Sequence, residues 1–425
     1  KKNDQLTWAL LLSCIGFLLV LIIGIVFKDF ILEKFQNSPE LPPYYYWTFV
    51  FGFGYTLYMV MEAYAWMQRK AVLSNFLKEV VFRLFTTILI LLVTFQLIKS
   101  FDVFVGMYSF IYLVIVLVLL IYFASVKKLN FTFKVSNVTK KFAKKIAMLA
   151  SMVWGGSLIF NAASVFDTIV IAAVLPDGMA SVGIFAMAQN ISSLMQAPQR
   201  AIISAATGPL SHAWKDKDYQ NINRIYHRSS ISQLIFASAM FCLIWLNFED
   251  GIHTFHLQPA YMQAKWVFFY IGIAKIIDMG TGVNAQIIAT STFWRFEFTS
   301  GLILLALTFP LNYELTRYLG VIGPAISNLI AFTVYNAVRC SFLWRKFKMQ
   351  PFTIKSFYTL LLAATSYFVA FYLFNTYTGF LWIILRSTVF VLIFAAGTLS
   401  LKLSPDILPV LQTIMKRLRL GNKYS

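Results

Sequence analysis

Runs of about twenty apolar residues recur along the whole sequence, and this repetition narrows the fold more than any other feature. The hydrocarbon core of a bilayer takes about 20 residues of helix, or about 10 residues of barrel strand with alternating polarity. The runs lie at roughly 7–27, 45–66, 80–98, 103–124, 147–174, 181–206, 230–248, 259–288, 293–313, 320–343, 356–375 and 378–400. Each is about twice the length of a barrel strand and apolar on every side. The sequence therefore predicts an all-α polytopic membrane protein with about twelve transmembrane helices. Composition agrees: charged residues make up 12% of the chain, against about 25% in soluble domains. The runs at 181–206 and 259–288 are the most polar and the richest in small residues, as expected of helices that face other helices or a cavity.

Charge sets an expected orientation. Twelve crossings put both ends on one side, and the links there carry Lys127, Lys128, Lys134, Lys140, Lys141, Lys144 and Lys145, then Lys215, Lys217, Arg224 and Arg228, then Arg345, Lys346, Lys348 and Lys355. The opposite links hold few bases but several acids, among them Asp177, Glu249 and Asp250. The lysine and arginine bias predicts cytoplasmic N- and C-termini. It also accounts for the net charge of +19 through contact with anionic membrane lipid rather than nucleic acid. Links 125–146 and 207–229 are the longest inner connections, and "LPVLQTIMKRLRL" in the tail reads as an amphipathic helix on the headgroups.

The chain repeats its layout at an offset near 217: segments 45–124 and 259–343 share the same plan, which pairs Glu62 with Asp278. The expected organisation is an incomplete N-terminal lobe at 1–146, a six-helix lobe at 147–350, a terminal helix pair at 351–400 and a cytoplasmic amphipathic tail at 401–425. Four spans precede a six-span second copy, so two initial spans are expected to be missing. Parallel repeats of this kind are common in secondary transporters, with the substrate path between the halves.

Charges inside apolar runs need a partner, a cavity or a place near the surface. Those left after the positive bias are Glu62, Asp167, Arg200, Lys265, Lys275, Asp278 and Arg386, with Glu297 near an inner end. Asn161 stands six residues before Asp167 on the same helix. Around Arg200, Gln189, Asn190, Gln196 and Gln199 make a polar helix. Pro198 is placed to kink or interrupt that helix and Pro209 to mark its end. Lys275 and Asp278 share a face and either neutralise each other or leave Lys275 facing a path. Lys265 lies near the outer mouth, where it can snorkel. Internal cations at Arg200, Lys265 and Lys275 suit an anionic, phosphate-bearing substrate. Proton or sodium coupling through Asp167 or Asp278 is chemically open.

No enzyme constellation is present. The chain has no phosphate-binding glycine loop, nucleophile elbow or H-E-x-x-H zinc motif. His253 and His256 have no third ligand nearby, and Cys14, Cys242 and Cys340 lie singly in apolar runs. No enzymatic activity and no cofactor are expected.

The stretch "FNAASVFDTIVIAAVLPDGMASVGIFAMAQNISSLMQAPQRAIISAATGPLSHAWKDKD" resembles the seventh and eighth helices of the polysaccharide (O-antigen, lipid-linked oligosaccharide) flippases of the multidrug/oligosaccharidyl-lipid/polysaccharide exporter superfamily. The residues that carry it are Phe166-Asp167, Val182-Gly183-Ile184-Phe185, Pro198, Pro209 and Trp214. "GVIGPAISNLIAFTVYNAVRCSFLWRKF" looks like the family's twelfth helix. The resemblance implies spans three to fourteen of a fourteen-span exporter in a bacterial inner membrane. It implies a flippase for undecaprenyl-pyrophosphate-linked oligosaccharide in polysaccharide and lipopolysaccharide biosynthesis. Arg200 and Lys275 would hold the pyrophosphate, with Asp167 and Asn161 as polar lining. Partners implied are the lipid-linked oligosaccharide, membrane lipid, and a polysaccharide polymerase or glycosyltransferases. The alternatives are a cation-coupled multidrug exporter of the same superfamily and a peptidoglycan-precursor flippase.

Overall fold

Every apolar run singled out in the sequence is helical in the computed structural model, which describes residues 4–68, 70–129, 131–374 and 376–405. No strand occurs among the described residues. Six helical stretches in that set are long and apolar enough to cross a membrane by length and composition. One of them, Trp294–Phe347, contains two successive helices. The protein is an all-α polytopic membrane protein of about twelve spans.

The chain forms two compact units, Lys1–Asn161 and Ala162–Ser425. The first holds α1 (Gln5–Val26), α2 (Lys28–Glu33), α3 (Tyr45–Met67), α4 (Ala71–Phe76), α5 (Phe82–Thr94) and α6 (Phe101–Ser125). A π-helical turn, Leu77–Val81, joins α4 to α5. Here α3 packs against α1 and α6. Tyr58, Met61, Ile115, Leu119 and Phe123 form its fully buried centre. Most of α1 exposes its apolar side chains, the pattern of a helix whose solvent is lipid. The long α7 (Asn137–Val174) follows; the side chains of 151–164, Asn161 among them, lie outside the described residues.

The second unit adds α8 (Gly178–Ser193), α9 (Ala197–Lys215), α10 (Tyr219–Thr254), α11 (Ala264–Gly280), α12 (Asn284–Ala289), α13 (Trp294–Leu319), α14 (Gly323–Phe347), α15 (Ile354–Phe374) and α16 (Phe380–Ser400). Ile171, Phe185, Met195, Val267 and Phe268 are fully buried in its main core. The hairpin α15–α16 packs on α10, with Leu246, Ala363, Ala370 and Phe390 between them. Residues 406–425, including the expected amphipathic tail helix, lie outside the described residues.

One span detail meets expectation and one departs from it. A short 3-10 turn, Leu194–Gln196, interrupts the polar run, and Pro198 sits in the first turn of the helix that restarts there. Proline is well tolerated at that position, where its missing N–H has no intrahelical acceptor. Pro209, expected to end the helix, instead lies inside α9, which continues to Lys215. The link at 207–229 thereby shrinks to three residues, and Asp218 caps α10 by accepting the Asn221 N–H at 3.0 Å.

The run at 259–288 is a broken helix. Between α11 and α12, Gly282 adopts φ +65°, a conformation that costs residues with a Cβ. An added Cβ there would also lie 2.8 Å from Ser229 Oγ and 2.9 Å from the Ser230 backbone nitrogen. Two serines of α10 satisfy the freed backbone groups: Ser230 donates to the Gly280 carbonyl at 2.5 Å, and the Val283 N–H donates to Ser229 Oγ at 3.3 Å. Irregular backbone at membrane depth survives when protein groups replace the lost ladder bonds in this way. Gly323 has a different task. A Cβ there would lie 2.3 Å from the Leu315 carbonyl, so only glycine lets the α13–α14 corner close.

Candidate functional site

Several charged and carboxamide side chains of the second unit gather along α14. Asn328, Phe332, Asn336 and Arg339 follow one another at helical spacings of four, four and three, which places them on one stripe. Acids from three other helices meet that stripe: Asp167 from α7, Asp278 from α11 and Glu297 from α13.

Asp167 is 4% exposed. It accepts hydrogen bonds from Asn328 Nδ2 at 2.7 Å and from Asn312 Nδ2. Thr316 Oγ1 in turn donates to the Asn312 carbonyl at 2.6 Å. A carboxylate at this depth needs such donors, because lipid and protein interior supply none of the hydration it loses.

Asp278 lies one turn from the helix break. It accepts from Gln199 Nε2 at 2.9 Å and from Asn336 Nδ2 at 3.1 Å. The Asn336 carbonyl oxygen accepts from Thr281 Oγ1 and Asn284 Nδ2, each at 2.9 Å. One asparagine of α14 thus ties together both sides of the break.

Lys275 stands between the two acids. Asp278, Asp167 and Arg200 are its charged neighbours, and its ammonium lies 5.4 Å from the centre of the Phe332 ring. Among the described residues it forms no ion pair and no hydrogen bond, so Lys275 and Asp278 do not neutralise each other as a contact pair. The carboxamides of Gln199 and Asn336 occupy the Asp278 carboxylate instead. Arg200 is exposed on α9.

Arg339, which the sequence analysis did not single out, is 3% exposed. Its guanidinium pairs with Glu297, donates from Nε to Ser300 Oγ at 3.3 Å, and stacks 3.6 Å over the Tyr335 ring. The result is a ladder of alternating sign: Asp167, Lys275, Asp278, Arg339, Glu297.

The other expected site residues have local partners. Lys265 pairs with Glu249 at 2.5 Å and lies 4.6 Å over Trp245. Arg386 is buried against Asp250 at 2.5 Å and donates to the Leu246 carbonyl at 3.1 Å. Asp250, expected in an outer link, is thus buried inside α10. Glu62 belongs to the first unit, where Tyr58 donates to it at 3.2 Å and Lys78 approaches within 3.6 Å. Among the described residues no group of three or more histidine, cysteine or acidic side chains is placed to hold a metal.

The fold resembles that of a solved flippase. The structure titled "Lipid II flippase MurJ, inward closed conformation" superposes with a TM-score of 0.70 over 94% of this chain and 84% of that one, at 14% identity. No protein-family model matches the sequence, and no curated protein does. The likeness is therefore one of fold, and the residues of the ladder have to be judged by their own chemistry. They comprise a lysine free of a carboxylate contact, an arginine paired with Glu297 one turn beyond Asn336, and carboxamides that donate or accept.

Proposed function

We propose that the protein is a flippase that carries an undecaprenyl-pyrophosphate-linked oligosaccharide across a bacterial inner membrane. The observation that carries this reading is Lys275, a membrane-embedded ammonium with no ion pair or hydrogen bond among the described residues. Placing an unpaired cation in a span is costly, and a diphosphate passing beside it would remove that cost. Fold likeness to a lipid II flippase supports a lipid-linked cargo. The apolar exterior supports a path in which the prenyl chain stays in lipid while the headgroup crosses inside the protein.

In this reading Lys275 and Arg200 meet the pyrophosphate, and Asp167 and Asp278 line the path beside them. Alternating access between two pseudo-repeated lobes, 1–146 and 147–350, supplies the motion. The positive bias of the links supports cytoplasmic termini. A polymerase or glycosyltransferases would handle the same glycan on either side.

The lipid II precursor is a second reading, favoured by the neighbour's own substrate. A cation-coupled multidrug exporter has less support, because Lys275 and Arg339 stand among the acids.

Complementation separates these readings. The gene is expressed in a strain lacking its oligosaccharide flippase and in a strain depleted of its lipid II flippase. The first reading expects surface glycan to return in the former only, and to fall at least tenfold with Lys275→Ala at equal expression. Rescue of the lipid II strain alone selects the second reading. Full glycan export by Lys275→Ala removes the anion-site argument.

A further inference from the structure

We propose that a cavity at the α7–α8 end of the second unit is a saccharide subsite, which takes a neutral sugar against the Trp266 ring with Asp177 and Gln263 as hydroxyl partners. The proposal deepens the function above and rests on it for the source of the sugar, the headgroup of the lipid-linked cargo.

The cavity holds about 350 Å³, at the small end of the range for ligand sites. Leu175, Pro176 and the turn from Leu319 to Ile322 form its apolar wall. Gly320 at φ +64° makes that turn. Trp266 lines it with half of its surface exposed, and Trp245 and Phe269 hold the indole edge-on at 5.5 and 5.7 Å between ring centres. The polar lining is Asp177, Ser181 and Gln263. Among the described residues, neither the Asp177 carboxylate nor the Gln263 carboxamide has a side-chain hydrogen bond to protein, and Asp177 makes no capping bond to α8.

A hexose ring presents an apolar C–H face and a rim of hydroxyls that both donate and accept. An indole face supplies the first match, and a carboxylate with a carboxamide supplies the second. An interfacial tryptophan belt explains an exposed indole on a lipid-facing surface. It does not explain an indole in a concave wall beside two unbonded polar side chains. The charge argues for a neutral ligand: Asp177 repels anions, and the neighbouring Lys265 is already held by Glu249 and stacked over Trp245. Asp177 follows Asp167 by ten residues, about 15 Å along a helix axis.

The test uses the full chain in nanodiscs and two soluble probes, maltose and chitobiose, with saturation-transfer NMR reading the sugar ring protons. At least one sugar should show transfer that falls fivefold or more in Trp266→Ala and in the double variant Asp177→Asn/Gln263→Ala. The double variant changes exposed side chains only, so it guards against misfolding of the tryptophan variant. Absence of transfer to both sugars overturns the proposal, as does transfer that survives the double variant. A normal sugar signal in a protein that rescues neither strain defeats the flippase reading while leaving the subsite standing.

Discussion

Asp167 receives an N–H from each of two asparagines, Asn312 and Asn328, which come from different helices. Removing either donor leaves a buried carboxylate half satisfied. Asn312→Ala and Asn328→Ala should each lower stability by about 1–2 kcal/mol, read as a fall in thermal midpoint of the purified protein in one detergent. Of this site the sequence showed the acids and Lys275, because a charge in an apolar run stands out whatever its surroundings. It did not show Asn312, Asn328 or Asn336 as partners, since a carboxamide perturbs hydropathy little and its function depends on what faces it. Arg339 was hidden for another reason. It lies six and seven residues before Arg345 and Lys346, so the inner positive bias covers it, whereas α14 keeps it inside and pairs it with Glu297.

At the scale of elements, the break between α11 and α12 is the feature on which the site depends, since Asp278, Thr281 and Asn284 flank it and Asn336 binds all three. Gly282→Ala forces a Cβ into a positive-φ position against Ser229 and Ser230. It should destabilise the protein by about 1–3 kcal/mol and depress glycan export, whereas Gly301→Ala, with open space around its position, should do neither. Unchanged stability in Gly282→Ala would show that the backbone relaxes freely there. A polar run at 259–288 was legible in the sequence, but its interruption was not, because the capping hydroxyls come from a helix about fifty residues earlier. The reach of α9 through Pro209 was misjudged because proline disfavours a helix interior without forbidding it. Another element end carries a pH signature. Asp4 accepts from the Ser136 N–H at 2.8 Å and from Thr139 Oγ1, and these bonds hold its carboxyl below the usual aspartate value. Its tie between the starts of α1 and α7 is therefore complete above about pH 4 and is lost as pH falls through the lowered value. Proteolysis near the N-terminus should rise in that acid range, and Asp4→Asn should remove the dependence.

Across the whole molecule, hydropathy located all twelve helical runs, because the bilayer demands the same length and apolarity of each. It was silent on how distant runs join. The buried pair Arg386–Asp250 fastens α16 to α10, and the Gly379 N–H adds a second bond to Asp250 at 3.0 Å. Arg386→Met strands the carboxylate and should cost about 3–5 kcal/mol. The double variant Arg386→Met/Asp250→Asn should recover at least half of that loss in the same unfolding measurement. The pair also has a history. Its partners are separated by 136 residues, and a ribosome adding about 5–20 residues per second needs roughly 7–27 s to pass from one to the other. For that interval Asp250 has already been synthesised without its counter-charge. Each nascent chain therefore passes through a stage in which α10 is made and α16 is not, when a membrane protease or an insertase can recognise the exposed acid. The arrival of α16 closes a vulnerability opened by the middle of the chain.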